Sequence, residues 1–183
     1  MNAAIFSRTN FRRAALASVV ALGAFGSSNG FAADATAPAS ATVITPIAIT
    51  KMVDLVFGSF APGAGGTVTV STGSERTAAG PILSGVGVTP SAARFDVTGT
   101  GAATYGIAWS GAVLTNTTGE GAETMALSRI SDLTGTDAGS IEVTAGELTA
   151  GAQSIYLGGV LTVGSAQVPG AYTGNVTATV EYN

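Results

Sequence analysis

The last fourteen residues, Gly170-Ala-Tyr-Thr-Gly-Asn-Val-Thr-Ala-Thr-Val-Glu-Tyr-Asn183, alternate without a slip and constrain the fold more than any other stretch. Tyr172, Val176, Ala178, Val180 and Tyr182 fall on one side with Gly174 between them, and Thr173, Asn175, Thr177, Thr179 and Glu181 fall on the other. Successive side chains of a strand point to opposite faces, so this pattern predicts a strand with one buried and one wetted face. The same period recurs upstream. It appears at Phe95 and Val97; at Tyr105, Ile107 and Trp109; at Met125, Leu127 and Arg129; at Ile141 and Val143; and at Ile155, Leu157, Leu161 and Val163 around a Gly158-Gly159 kink. No apolar stripe of period 3.6 persists after the first thirty residues, and the 26 glycines interrupt any that begins, so very little helix is expected. Short strands separated by turn signals predict an all-β sandwich or barrel. A membrane barrel requires strands of ~10 residues and aromatic girdles. The eight aromatics after residue 32 sit in short strands, which favours the sandwich.

The chain opens differently. Arg8, Arg12 and Arg13 precede an apolar block from Ala14 to Phe25, and Gly26-Ser-Ser-Asn29 leads to small residues at Gly30 and Ala32. This order predicts a secretory signal peptide over residues 1–32, with Ala33 and Ala35 as alternative cleavage points and a retained anchor as the rival reading. The apolar block is shorter than the ~20 residues that span a bilayer. Removing it leaves 151 residues with four basic and eleven acidic side chains, a formal charge of −7. A chain with one lysine, Lys51, and scattered arginines lacks the clustered cations that nucleic acid or an anionic membrane requires. Its length suits one domain, and with no cysteine anywhere that domain must hold by packing and ladder hydrogen bonds.

Residues 33–46 read as an N-terminal extension ahead of a domain over 47–183. Ala35, Ala37, Ala39 and Ala41 alternate with small polar residues, too little apolar bulk to order alone. Val43 and Ile44, then Ile47 and Ile49, add bulk around Pro46, which predicts two strands broken at the proline. Leu55–Phe60 and Gly66–Ser71 read as strands flanking a Pro62-Gly63 turn, and Arg94–Thr98 with Thr104–Ser110 as a pair joined through 99–103.

Catalytic chemistry is poorly supplied. Without His or Cys the usual general bases, thiol nucleophiles and imidazole ligands are missing. Glu120 and Glu123 read as a solvated loop, and Asp132 and Asp137 around Gly135 are too sparse for a calcium loop. Gly63-Ala-Gly-Gly66 lacks the helix and lysine of a phosphate cradle. Asn116-Thr-Thr118 and Asn175-Val-Thr177 match glycosylation acceptors, the second inside a strand. Trp109 reads as a core aromatic, with a sugar platform as the rival. No enzyme, cofactor or metal is expected.

A glycine fourteenth from the end, alternating apolar positions and a penultimate tyrosine resemble the C-terminal signature of pilus subunits assembled by the bacterial chaperone–usher route. The chain is also similar, in Ile47-Ala-Ile-Thr50, Leu55-Val-Phe-Gly-Ser-Phe-Ala-Pro-Gly63 and Pro169-Gly-Ala-Tyr-Thr-Gly174, to cysteine-free, Gly- and Thr-rich secreted bacterial domains of unknown function. The pilus resemblance implies an immunoglobulin-like sandwich with an open groove bordered by a C-terminal strand carrying Gly170, Tyr172, Val176, Ala178, Val180 and Tyr182. It also implies a periplasmic chaperone, an outer-membrane usher and self-association into a fibre by strand addition. The donor face expected on the extension is Val43, Ile47 and Ile49. The alternative is a self-contained, non-enzymatic surface sandwich that binds a ligand or coats the cell.

Overall fold

The computed structural model of the 183-residue chain describes residues 32–119, 121–136 and 141–183. The signal-peptide reading, Glu120 and Asp137 therefore lie outside the described residues, Ala32 excepted. Two compact units are distinguished. In the first, Met1–Ala41, the described residues 32–41 are exposed and carry no strand; the second, Thr42–Asn183, holds every strand.

Among the described residues thirteen strands follow one another: β1 Ala48–Val53, β2 Phe60–Ala61, β3 Gly66–Val70, β4 Arg76–Ala79, β5 Ile82–Leu83, β6 Ala93–Thr98, β7 Thr104–Ser110, β8 Val113–Asn116, β9 Thr124–Asp132, β10 Ala145–Glu147, β11 Ala152–Val163, β12 Tyr172–Thr173 and β13 Thr177–Tyr182. Among the described residues there is no helix, and the fold is all-β. The large sheet runs β1-β6-β11-β9-β8-β12, with β3 also paired to β11 and β4 to β3; a second sheet runs β10-β7-β13, and β2 and β5 form a separate ribbon. Each of these pairings is antiparallel.

The twelve-residue β11 is the spine of the large sheet. One edge pairs with β6 over Ala152–Leu157 and then with β3 over Gly159–Val163, while the other edge pairs with β9. Gly158 sits where the partner changes, and a Cβ there would collide with the Val70 carbonyl. The glycine pair, read from the sequence as a kink, instead lets a continuous strand approach two neighbours closely.

Two apolar clusters fill the interior. In the first, Phe95, Val97, Ile155 and Leu157 of the large sheet face Tyr105, Ile107 and Val180 of the second sheet, which makes this half a two-layered sandwich. Trp109 is half-buried, its ring edge-on to Phe95 at 6.1 Å and its indole N–H donated to the Val143 carbonyl at 2.9 Å. Phe57, Val68, Val70, Met125, Leu127, Leu161 and Val163 form the second cluster.

Several sequence expectations need correction. β6 and β7 are not a pair: they lie in different sheets, and residues 99–103 cross between layers so that Phe95 and Val97 face Tyr105 and Ile107 instead of lying beside them. Val43 and Ile44 form no strand, because pairing starts only beyond Pro46, with Ala48 opposite Thr98. Of Leu55–Phe60, only Phe60 belongs to a strand, and Val56 makes an isolated bridge to Ser91. The C-terminal strand is two strands: Tyr172 pairs with Asn116 in the large sheet, and Thr177–Tyr182 pairs with β7 in the other. Asn175 accordingly lies between strands and not within one.

Candidate functional site

The two halves of the large sheet are covered unequally. The second sheet contributes Tyr105, Ile107 and Val180 to the buried first cluster, but none of its residues is a buried member of the second cluster. Over the second cluster lies the 55–61 segment, paired to β5, and beside it opens a cleft of about 770 Å³. The cleft is lined by residues 55–62, by Leu114, Met125, Leu161 and Val163 of the large sheet, and by residues 167–172. None of the described lining residues carries a formal charge, so the cleft suits apolar matter and offers no acid–base pair.

Each flank is held by polar side chains acting on backbone. Arg76 of β4 donates to the carbonyls of Phe57 at 2.9 Å, Ser59 at 3.2 Å and Ser84 at 2.8 Å. A guanidinium presents several donors in a fixed fork and can therefore tie both strands of the ribbon at once. On the other flank, the Tyr172 hydroxyl donates to the Val168 carbonyl at 2.7 Å and accepts from the Gln167 amide at 2.8 Å, closing the 167–172 loop on itself.

Gly170 has a steric role. The buried Asn116 carboxamide oxygen accepts from the backbone N–H groups of Thr118 and Gly119, both at 3.0 Å, and the Thr118 hydroxyl is donated to by the Ala171 N–H at 2.8 Å. A Cβ on Gly170 would run into the Asn116 side chain and the Thr118 hydroxyl. The first acceptor motif is thereby folded inward, with Asn116 only 6% exposed, whereas Asn175 is exposed. Asp132 is committed to structure: its carboxylate accepts from Thr72 and from the backbone N–H groups of Thr134, Gly135 and Thr136.

The nine assembly residues read from the sequence do not converge on one place. Gly170 and Tyr172 line the cleft. Val176 packs against both clusters, Ala178 and Val180 are buried, and Tyr182 packs against the first cluster. Among the described residues β13 is an edge strand, with β7 on one side and no strand on the other. Of the donor face only Val43 stands clear, 96% exposed; Ile47 and Ile49 pack against the chain's own first cluster, with Ile49 opposite Val97. Within this chain β1 joins the domain's own sheet, and Ile49 on it and Ile47 just before it lie against the domain's own core. Sequence reasoning missed Arg76, Phe57 and Met125. Phe57 and Met125 belong to ordinary-looking apolar stretches, and nothing around Arg76 marks it as a tie between ribbon strands.

The fold and cleft define an all-β domain with two buried cores, one beneath a second sheet and one beneath a short ribbon with a cleft beside it. Residues 47–182 match the family described as Domain of unknown function (DUF4402), and the chain belongs to that family. No match is found among curated proteins. Among the described residues no helix is long and apolar enough to cross a membrane.

Proposed function

We propose that the chain is an exported, non-enzymatic structural subunit of a cell-surface fibre that assembles by β-strand addition, with the apolar cleft as the acceptor. The observation that carries this reading is an uncharged cleft of about 770 Å³ whose wall includes Phe57, Met125, Leu161 and Val163 of the second cluster. Two further features support it. β13 leaves one edge without a strand partner, and unpaired edges recruit strands. Residues 32–46 are exposed throughout, with alanines alternating from Ala35 to Ala41. An immunoglobulin-like topology, a periplasmic chaperone and an outer-membrane usher follow from the pilus-subunit resemblance of the C-terminal residues and belong to the same proposal.

Because Ile47 and Ile49 are held in their own domain, the donor is the segment ending at Ile44. Deleting residues 33–44 is expected to leave a folded domain, judged by circular dichroism, that no longer forms fibres in negative-stain electron microscopy. Fibres as abundant as those of the intact chain would overturn strand donation by this segment.

The self-contained reading draws on one specific observation. The bulkiest residues near the N-terminus, Ile47 and Ile49, complete the chain's own core, which leaves a donor made largely of alanine. A cleft of this size also falls within the range of small-ligand sites. An intact exported chain that stays monomeric at high concentration would favour this alternative.

A further inference from the structure

The penultimate residue makes contacts that its place on an alternating strand does not require. The Tyr182 hydroxyl donates to the carbonyl of Thr45 at 2.9 Å and accepts from the backbone N–H of Thr100 at 2.7 Å. Thr45 and Thr100 are joined a second time: the Thr45 N–H is donated to the Thr100 hydroxyl at 2.8 Å, and that hydroxyl is donated back to the Thr45 carbonyl at 3.2 Å. Gly99 makes room, since a Cβ there would collide with the tyrosine oxygen. Three distant parts of the sequence, residue 45, residues 99–100 and residue 182, therefore meet in one hydrogen-bonded clasp.

The clasp sits at a boundary. Every residue from Ala32 to Pro46 is exposed, strand pairing begins only with Ala48 opposite Thr98, and Pro46 has no N–H to donate. The residue before a proline is held to extended conformations, which narrows the freedom of Thr45 as its carbonyl accepts from Tyr182 and Thr100. Without the clasp, the first tie to the domain is the β1–β6 ladder three residues later, and Ile47 loses the restraint on its N-terminal side.

We infer that Tyr182 is a positioning residue that fixes where the N-terminal segment leaves the domain. It sets the limit of the free segment at Ile44 and keeps Ile47 in its own core. The clasp is a property of the domain whether or not it polymerises. Its consequence for a fibre, a donor of fixed reach, rests on the strand-addition reading.

The test uses the full exported chain with a nitroxide at Val43→Cys, which gives a single label because the chain has no cysteine of its own. Tyr182→Phe is expected to speed hydrogen exchange at the Thr45 and Thr100 amides by roughly tenfold or more, the scale of one lost hydrogen bond. The label should gain mobility while the β7–β13 ladder keeps its protection. Thr100→Val leaves the tyrosine in place and should speed exchange at Thr45 alike. Thr45 exchange unchanged within about twofold in both variants, with the ladder intact, would overturn the inference. Should Tyr182→Phe also fray the ladder, Thr100→Val decides: faster Thr45 exchange supports the clasp, and unchanged exchange refutes it. None of these readouts depends on fibre formation, so failure here and failure of the assembly reading are separable.

Discussion

The two halves of the large sheet are built from the same kinds of residue but covered in different ways. Over β6 and the start of β11, a three-stranded sheet lays Tyr105, Ile107 and Val180 onto Phe95, Ile155 and Leu157. Over β3, β9 and the end of β11, the cover is a ribbon of two-residue strands tied down by one arginine, with a cleft beside it. Apolar area removed from water stabilises at about 25 cal/mol per Å², and the members of both clusters are buried, so the halves differ in what covers them and not in how dry their cores are. The difference is one of cover: a three-stranded sheet over one half, and a ribbon with a cleft beside it over the other.

The largest effect should come from the covered half. Leu157 is fully buried, and Leu157→Ala is expected to cost about 3–4 kcal/mol in denaturant unfolding. Phe60 on the ribbon is only half-buried, and Phe60→Ala should cost about 1–2 kcal/mol. Equal losses at the two positions would break the contrast.

Removing the arginine clamp comes next. Arg76→Ala deletes three hydrogen bonds to ribbon carbonyls, and a loss of about 2 kcal/mol is expected. Its mark should be local, with faster hydrogen exchange over residues 55–61 and 82–91 and unchanged protection in β7 and β13. Acceleration spread evenly over both sheets would mean the ribbon is not a separate element.

The smallest effect sharpens the picture of the covered half. The Tyr105 hydroxyl is buried there without a hydrogen-bond partner, and burial pushes its ionisation above the usual 10.0. Tyr105→Phe is therefore expected to be neutral or to stabilise by up to about 1 kcal/mol. The sign with pH follows from linkage: the folded state holds the phenol proton more tightly than the unfolded chain. The associated stability is complete below pH 10 and is lost as pH rises above it. Tyr105→Phe should flatten that alkaline decline in urea titrations.

Much of this arrangement was legible, for physical reasons that also mark where legibility stopped. Alternation at Tyr105, Ile107 and Trp109, at Phe95 and Val97 and at Val68 and Val70 reports which side of a strand is buried, and it did so correctly. It does not report which sheet the strand joins. From Tyr172 to Val176 the chain leaves the large sheet for the other, passing so close to β8 that a Cβ on Gly174 would collide with the Val113 carbonyl. Because Val176 follows Tyr172 by an even step of four positions, the period survives and one strand is read where two exist. The same blindness joined β6 to β7. The resemblance carried by Gly170 and Tyr182 implied a groove along the C-terminal strand, whereas the cleft is lined by residues 55–62 and 167–172 and by no residue of β13. The walls that shape it depend on Arg76, whose partners are backbone carbonyls 19 and 8 residues away, and on a Gln167–Tyr172 side-chain bond, and no alternating pattern encodes either.

The central claim, that the open half accepts a strand from the N-terminal segment of another copy, has one direct test. A synthetic peptide of residues 33–44 is titrated into the chain lacking those residues while backbone amide resonances are followed. Saturable shifts concentrated at residues 55–62, around Met125 and Leu161, and at 167–172 are the expected result, with raised thermal stability. No saturable shift, or shifts confined to the outer face of the β6–β11 pair, would contradict it.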